Sequence, residues 1–410
     1  MSEWTPIKLG SIVNITNGFA FKSENFLTSL TFNTLPVLKI KNVANGDVHL
    51  KDVQYHLIDS KYDKYTSSKG DILITLTGNH PQALTQVVGA VSKQKFDTLA
   101  YINQRVAKID PISSLAFKDF IYYFLKEKST HDYLASQSSG SANQANISKA
   151  DIENVELLLP PVTEQIAIAS VLSSLDDKID LLHRQNKTLE SMANTLFRQW
   201  FIEDAHIHWT EKKLSSFGRI ICGKTPSKKN SLYFGNDVPF LKIPDMHGKV
   251  FVFKSTDNLS FAGEHSQSKK TIPPGSICVS CIATVGLVCI TDVSMQTNQQ
   301  INSIIPNKEY YKYFLYLLMK SMGDELNNLA SGGTATLNLN TGDFSNITFL
   351  SPSENELKIF HQSISSLFDK LKLNSKQINI IENLRDTLLP KLMSGEVRVQ
   401  DAEEAIASVV

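Results

Sequence analysis

The chain has 410 residues, 42% of them hydrophobic, with 41 basic and 41 acidic side chains and four cysteines. That length predicts two to four domains with real cores; no run of 18 or more apolar residues offers a membrane span, MSEWTPIKLG lacks a secretory signal pattern, and sparse cysteines suit a reducing cytoplasm better than a disulfide scaffold. Zero net charge argues against a strongly basic nucleic-acid binder, but the charge is unevenly spread: 16 basic and 15 acidic side chains in residues 1–160, 4 and 7 in 161–208, 14 and 10 in 209–351, and 7 and 9 in 352–410. The globular stretches are mildly positive, a weak sign of a DNA face.

Residues 1–33 open with Trp4, Leu9, Ile12 and Val13, and then Asn17-Gly18, a turn signal. Pro36-Val37-Leu38-Lys39-Ile40 reads as a strand with Lys39 in its middle, on the face opposite its apolar neighbours. Lys39 is either a phosphate or base contact or a solvated strand lysine; Lys41 follows it. Gly70-Asp71-Ile72-Leu73-Ile74-Thr75 reads as a turn and a buried strand, backed by the polar loop TGNHPQALTQ with Thr77, Asn79 and Gln82. Tyr101-Ile102-Asn103-Gln104-Arg105-Val106 reads as a strand start. Side-chain amides there suit adenine and Arg105 suits guanine, or the Asn-Gln pair ties down a loop. An aromatic-rich helix from Phe117 to Ala135 reads as core rather than a base-stacking platform. The small-residue loop SQSSGSANQANIS at 136–148, with Gly140 and Asn143, allows close backbone approach to a phosphate or another chain; the other reading is a plain connector.

Two prolines then open a long periodic stretch. Ile168, Leu172, Leu175, Ile179, Leu182, Asn186, Leu189, Ala193, Leu196 and Trp200 follow alternating steps of four and three, the seam of a coiled coil. About forty helical residues span roughly 60 Å, which makes the stretch a rod.

The pattern then repeats. Trp209, Leu214, Phe217 and Gly223 match the opening; Pro239-Phe240-Leu241-Lys242-Ile243, with Asp245 beyond it, matches the lysine strand; Gly275 to Ser280 matches Gly70 to Thr75, followed by the shorter Ala283-Thr284. Thr297-Asn298-Gln299-Gln300-Ile301 matches the Asn-Gln segment without its arginine, a helix from Tyr310 to Ala330 matches the aromatic one, and ASGGTATLNLN at 330–340 aligns Gly332 with Gly140 and carries Thr334. The rod recurs 192 positions on, as Phe360, Ile364, Leu367, Leu371, Asn374, Ile378, Ile381, Arg385, Leu388 and Leu392. Such a period is too long for a solenoid unit, so the chain is two similar halves, each a globular domain followed by a long helix. If the rods pack antiparallel with paired residue numbers summing to 560, one register among those a heptad apart, Ile168 faces Leu392, Leu172 faces Leu388, Leu182 faces Ile378, Leu189 faces Leu371 and Trp200 faces Phe360. Asn186 then meets Asn374, and a matched buried amide pair pins register; the other reading is two solvated amides where the rods splay. Ser394-Gly395 is a helix stop, followed by a short acidic tail.

Two motifs point elsewhere, and others are missing. Gly218 to Thr225 fits the phosphate-loop pattern G-x-x-x-x-G-K-[ST] at Lys224, but Pro226 and Ser-Lys-Lys-Asn follow where a helix must start. Cys278 and Cys281, three apart in an apolar strand, face opposite sides and so do not ligate one metal without a turn; buried free thiols are the expectation. No Gly-rich loop suits S-adenosylmethionine, the aminomethyltransferase tetrapeptide (Asn or Asp, Pro-Pro, aromatic) is missing, and no Ser-His-Asp or paired-carboxylate arrangement is legible.

LPPVTEQIAIASVLSSLDDKID, the FRQWF end at 197–201, SPSENELKIF and TLLPKLMSGEVRV resemble the specificity (S) subunits of type I restriction–modification enzymes, over nearly the whole chain. Two departures stand out: Ser351-Pro352-Ser353 replaces the double proline, and Leu357 stands where the first half has Gln165. The resemblance implies a non-catalytic α+β chain. Residues 1–160 and 208–352 would be target-recognition domains, 161–207 and 353–398 central and distal long helices forming an antiparallel coiled coil with pseudo-twofold symmetry, and 399–410 a tail. Each recognition domain would read one half of a bipartite double-stranded DNA site. The helices would set the spacer and dock two methyltransferase (M) subunits for adenine N6 methylation, and two motor-nuclease (R) subunits would complete the complex. No cofactor is expected on this chain; S-adenosylmethionine and ATP belong to the partners. Candidate DNA contacts are Lys39, Lys41, Thr77, Asn79, Gln82, Arg105, Gly140 and Asn143 in the first half, and Lys224, Lys228, Lys242, Asp245, Thr284, Gln300, Gly332 and Thr334 in the second. Readings from other classes are a coiled-coil scaffold pairing two adaptor domains, or a phosphate-loop nucleotide binder.

Overall fold

A computed structural model describes residues 4–44, 46–79, 87–112, 114–139, 145–204, 208–331 and 337–407. Two long helices dominate it: a central helix, Val162–Arg198, which runs into a π turn at Gln199–Glu203, and a distal helix, Glu354–Ser394. The chain falls into two compact units, Met1–Lys178 with Ile380–Val410, and Ile179–Asn379, so each long helix contributes to both.

In the first unit, Val13–Asn17, Val106–Pro111, Ile72–Thr75 and Val91–Lys93 form an antiparallel sheet in that order. A second sheet orders Gln54–Leu57, Thr34–Leu38, Ala100–Ile102 and Thr66–Ser67, with Thr34–Leu38 and Ala100–Ile102 parallel. The apolar strand Ile72–Thr75 is buried throughout, as a continuous apolar run requires. The aromatic segment forms two helices, Lys118–Lys126 and Lys128–Ser136, rather than one. The break is at Glu127, whose backbone leaves helical geometry and whose carboxylate caps the second helix by accepting from Thr130 N at 3.1 Å. Phe120, Tyr122 and Tyr123 are buried in the core.

The second unit repeats the plan. Gly218–Cys222, Ile301–Pro306, Ile277–Ile282, Thr284–Thr291 and Phe251–Val252 make a five-stranded sheet, and Asn258–Leu259, Phe234–Leu241 and Gln296–Thr297 a three-stranded one. The repeat extends to single bonds. Leu9 N donates to Val155 O and Leu214 N to Ile347 O, both at 2.8 Å. Trp4 Nε1 reaches Glu164 at 3.2 Å, and Trp209 Nε1 reaches Glu356 at 3.3 Å. The departure at Leu357 has a physical reason. Gln165 is fully buried, donating to Leu115 O and Pro160 O and accepting from Phe117 N. In the second half a 3₁₀ turn, Glu309–Tyr311, closes on itself through Tyr311 N to Lys308 O, and Leu357 fills the space as core.

Three local readings change. Gly18 is not in a turn: it continues from the strand Val13–Asn17 and donates to Val106 O at 2.9 Å. It is glycine because a Cβ there would sit 2.2 Å from Asn103 O; at Gly223 it would sit 2.1 Å from Asn298 O. Lys39 and Lys242 are not mid-strand but end their strands and precede short helices, Ile40–Val43 and Ile243–Met246, because Asn42 Oδ1 and Asp245 Oδ2 accept from their backbone amides at 3.1 and 3.2 Å. The tail is not a plain tail: Val399–Ala407 is helical, with Ala402 buried.

The distal helix stops at Gly395, whose φ is +73° and whose Cβ position lies 3.4 Å from the Trp4 ring. Gly395→Ala is expected to destabilise the fold by about 1–2 kcal/mol, the cost of a left-handed L-residue; a thermal melt against wild type checks it.

Within the first unit the helices are tied by Arg385 Nη1, which donates to Asp176 Oδ1 at 2.7 Å; Asp176 also accepts from Tyr123 Oη at 2.9 Å, and Lys126 Nζ lies 3.5 Å away. Burial pushes the Asp176 carboxyl pKa up, but Lys126 and Arg385 outweigh it and hold it below its ordinary value. Within the second unit Asn374 Nδ2 donates to Asn186 Oδ1 at 3.0 Å and to Gln185 Oε1 at 3.2 Å, and Trp200 meets Phe360 with ring centroids 5.6 Å apart. These pairings make the two helices antiparallel.

Candidate nucleic-acid interface

In each half four segments converge at one end of the sheets, held by main-chain hydrogen bonds. In the first, Asn103 N donates to Leu38 O at 2.9 Å, Phe19 N to Ile102 O at 3.0 Å, Gln104 N to Phe19 O at 2.9 Å and Leu76 N to Arg105 O at 2.9 Å. In the second, Asn298 N donates to Leu241 O at 3.1 Å, Lys224 N to Thr297 O at 2.9 Å and Cys281 N to Gln300 O at 2.8 Å. Asn103–Arg105 and Asn298–Gln300 are therefore the same turn between strands, not strand starts, and Arg105 and Gln300 occupy equivalent places.

The side chains on this frame differ. Arg105 is exposed, and its guanidinium has no hydrogen-bond or ion-pair partner among the described residues. Gln300 Oε1 accepts from Asn298 Nδ2 at 2.8 Å. Phe19 packs on Phe21, Tyr62 and Tyr65 with ring centroids 4.9–5.1 Å away, whereas Lys224, at the matching place, is exposed. Gly78 and Thr77 pair with Ala145 and Asn146, and Thr77 Oγ1 donates to Asn146 Oδ1 at 2.7 Å; Asn79 beside them is exposed. Thr284 is exposed next to Ala283, which has φ +64°. Lys41 and Lys228 also face solvent. Gln82, Gly140, Asn143, Gly332 and Thr334 lie outside the described residues.

Other candidates are already engaged. Asp245 is buried and accepts from Lys242 N, from Thr256 N at 2.9 Å and from Thr256 Oγ1 at 2.7 Å, the bonding of a structural cap. Lys242 pairs with Asp257, and Lys39 lies 4.2 Å over the Phe26 ring while donating to Gln54 Oε1. Burial, then repulsion from Lys41, lowers the Lys39 pKa; a phosphate near the pair would relieve the repulsion.

The structure adds residues that motif reading passed over. Lys270 Nζ donates to Cys222 O at 2.9 Å, and Gln267 Nε2 donates to Lys224 O at 2.6 Å. This seats Lys269 and Lys270 beside Lys224, and Lys228 and Lys229 follow in the chain; none of the five is ion-paired to a carboxylate among the described residues. The doublets Lys228-Lys229 and Lys269-Lys270 were the available signal. Thr225 Oγ1 donates to Gln299 Oε1 at 2.7 Å at the same end. In the second half these ammonium groups share one end of the domain with the Gln299 and Gln300 amides, and in the first half Lys41 shares it with the Arg105 guanidinium; each set suits DNA.

The phosphate-loop reading fails on geometry. Gly218–Cys222 is a strand paired with Ile301–Pro306, and the amides of Gly223 and Lys224 donate to Ile301 O and Thr297 O, leaving neither for a phosphate. Cys278 and Cys281 enter different core clusters, with Cys289 opposite Cys278 across the sheet.

A frame built twice, each copy followed by a long helix, defines a protein of two repeated domains. Residues 1–191 and 206–383 match the type I restriction modification DNA specificity domain, and the chain belongs to that family. It is 34% identical to the HindI specificity subunit of Haemophilus influenzae, across 97% of this chain and all of that one, and 28% identical to the MjaIX specificity subunit of Methanocaldococcus jannaschii, across 97% and 98%. Its fold is similar to the S subunit of a type I system from M. genitalium, with a TM-score of 0.58 at 17% identity over 96% of both chains. No helix among the described residues is long and apolar enough to cross a membrane.

Proposed function

We propose that this specificity subunit reads a bipartite, asymmetric double-stranded DNA site, each recognition domain taking one half. The observation that carries this is the shared turn bearing Arg105 in one half and Gln300 in the other: one main-chain frame with two different side chains, which we assign to base reading. Exposed Lys41, Lys224, Lys228 and Lys269 supply phosphate contacts, which position the duplex without reading it. The two long helices set the spacer and dock two M subunits, which methylate adenine N6 with S-adenosylmethionine; two R subunits bring ATP-driven restriction. The chain itself performs no catalytic step, holds no cofactor and works in the cytoplasm.

The test is co-expression with the adjacent methyltransferase gene and long-read sequencing of host DNA for N6-methyladenine. A bipartite motif of two unlike halves with a fixed spacer is the expected result; a stable complex that methylates no new motif overturns the reading. A heptad inserted at the same level of both long helices adds about 10 Å of rise, or about three base pairs at 3.4 Å each. The spacer should lengthen by that amount with both half-sites unchanged. An unaltered spacer in the variant's methylome removes the helices as ruler.

A further inference from the structure

We infer that the two long helices are keyed to each other, so that each half of the chain accepts the other half as its partner and rejects a copy of itself. The inference rests on four positions where the helices, otherwise repeats of one another, carry opposite residues. The central helix has Asp176, Leu182, Asn186 and Ala193; the positions 192 later in the distal helix hold Phe368, Asn374, Ile378 and Arg385.

In the folded chain these sort by kind. Asp176 binds Arg385 at 2.7 Å. Asn186 binds Asn374 at 3.0 Å. The antiparallel register sets Leu182 opposite Ile378, both buried. It sets Ala193 near Phe368, two buried members of one core cluster; Phe368 stacks on Tyr313 with centroids 4.1 Å apart and meets Tyr316 edge-on at 5.7 Å. Thus charge meets charge, amide meets amide, aliphatic meets aliphatic, and the largest ring meets the smallest side chain.

Self-pairing reverses every match. Two central helices in the same register would place Asp176 against Ala193 and Asn186 against Leu182, each twice. The buried carboxylate would lose Arg385 and the amide its partner, and both losses are costly in a low-dielectric interior. Two distal helices would place Arg385 against Phe368 and Asn374 against Ile378, again twice, with a large cation where the native fold has a methyl group. One polar residue at a coiled-coil core position is enough to select among pairings; here two polar pairs and one size-matched pair select together. Resting on the proposed function, the consequence is that complexes of this chain display two unlike recognition domains and so address an asymmetric site.

The test starts from the intact folded chain. A protease site is placed at residues 205–207, the chain is nicked, and the halves are allowed to exchange in mild urea and then diluted. Native mass spectrometry separates the three pairings by mass and involves no DNA, so its failure is distinct from failure of the DNA reading. Wild type should return only the mixed pair. The fourfold variant Asp176→Phe, Asn374→Leu, Asn186→Ile and Arg385→Ala makes each helix compatible with itself and should also return both self-pairs. Self-pairs from wild type at the statistical share overturn the inference, as does a fourfold variant that still gives only the mixed pair. If the fourfold variant does not fold, Asn186→Ile with Asn374→Leu alone decides: more self-pairing than wild type supports keying, and no increase overturns it.

Discussion

Asp176→Ala is expected to destabilise the protein by about 3 kcal/mol at neutral pH. It strands the half-buried Arg385 guanidinium and leaves Tyr123 Oη and Lys126 facing a void where they met a carboxylate. The figure sits at the low end for breaking a buried pair because the Asp176 and Arg385 side chains keep 15% and 18% of their surface exposed. Asp176→Arg with Arg385→Asp should not rescue the loss, since the new arginine would sit beside Lys126. Asp176→Phe with Arg385→Ala should recover much of it, because this pair already packs at Phe368 and Ala193 in the other half, and well-packed apolar replacements of buried ion pairs are often neutral. The pH dependence follows from the lowered pKa of Asp176. Its contribution is complete above the unfolded carboxylate pKa of about 3.9 and is lost as pH falls through the folded value. The gap between wild type and Asp176→Ala should therefore be full at pH 7 and close in acid below about pH 4. Thermal melts across that range check it, and a gap independent of pH would mean that the loss is packing alone.

Arg105→Ala should cost about 1–3 kcal/mol of base discrimination, or about ten- to a hundredfold, at one base pair of the first half-site. Arg105→Lys keeps the charge but loses the planar fork, so it should restore affinity more than specificity. Neither change should alter reading of the second half-site. Lys224→Ala should instead weaken binding evenly across sequences and flatten the salt dependence, as loss of a phosphate contact does. Competition binding by the complex with its M subunits, using DNA varied one base pair at a time, separates these outcomes. Equal loss on all sequences for Arg105→Ala would move Arg105 to the phosphate group.

The rods were legible because a seam of alternating fours and threes has few other structural meanings, and because the same spacing returns after Pro352. That arithmetic leaves registers a heptad apart, and the structure selects the one with Asn186 opposite Asn374. Arg385 interrupts the apolar seam. Its partner Asp176 sits one place off the repeat, and Tyr123 comes from another domain segment, so only tertiary packing reveals the cluster. Gly18 misled for a different reason. A glycine needed for close approach and one needed for a turn are the same letter, and what demands it, Asn103 O, lies far away in the chain. Lys39 and Lys242 read as strand because Pro-Val-Leu and Pro-Phe-Leu precede them; the caps from Asn42 and Asp245 that end the strand are local polar bonds hidden in an apolar pattern. For the proposed interface, the shared Asn-Gln segments point to the turn where the segments converge, whereas the lysine doublets of the second half gain meaning only with Lys270 against Cys222.

The turn that presents Arg105 is fastened by the backbone: the amides of Asn103 and Gln104 and the carbonyl of Arg105 make its hydrogen bonds, while the Gln104 and Arg105 side chains point outward. Any non-proline residue supplies the same amide and carbonyl. Under the proposed reading, folding and preference for DNA thereby fall to different atoms of the same residues. A library randomised at Gln104 and Arg105 should consist mostly of stable proteins with altered tastes, whereas one randomised at Gly18 should be mostly unfolded. Heritable change in what such a protein reads can then come one base pair at a time, through intermediates that remain intact.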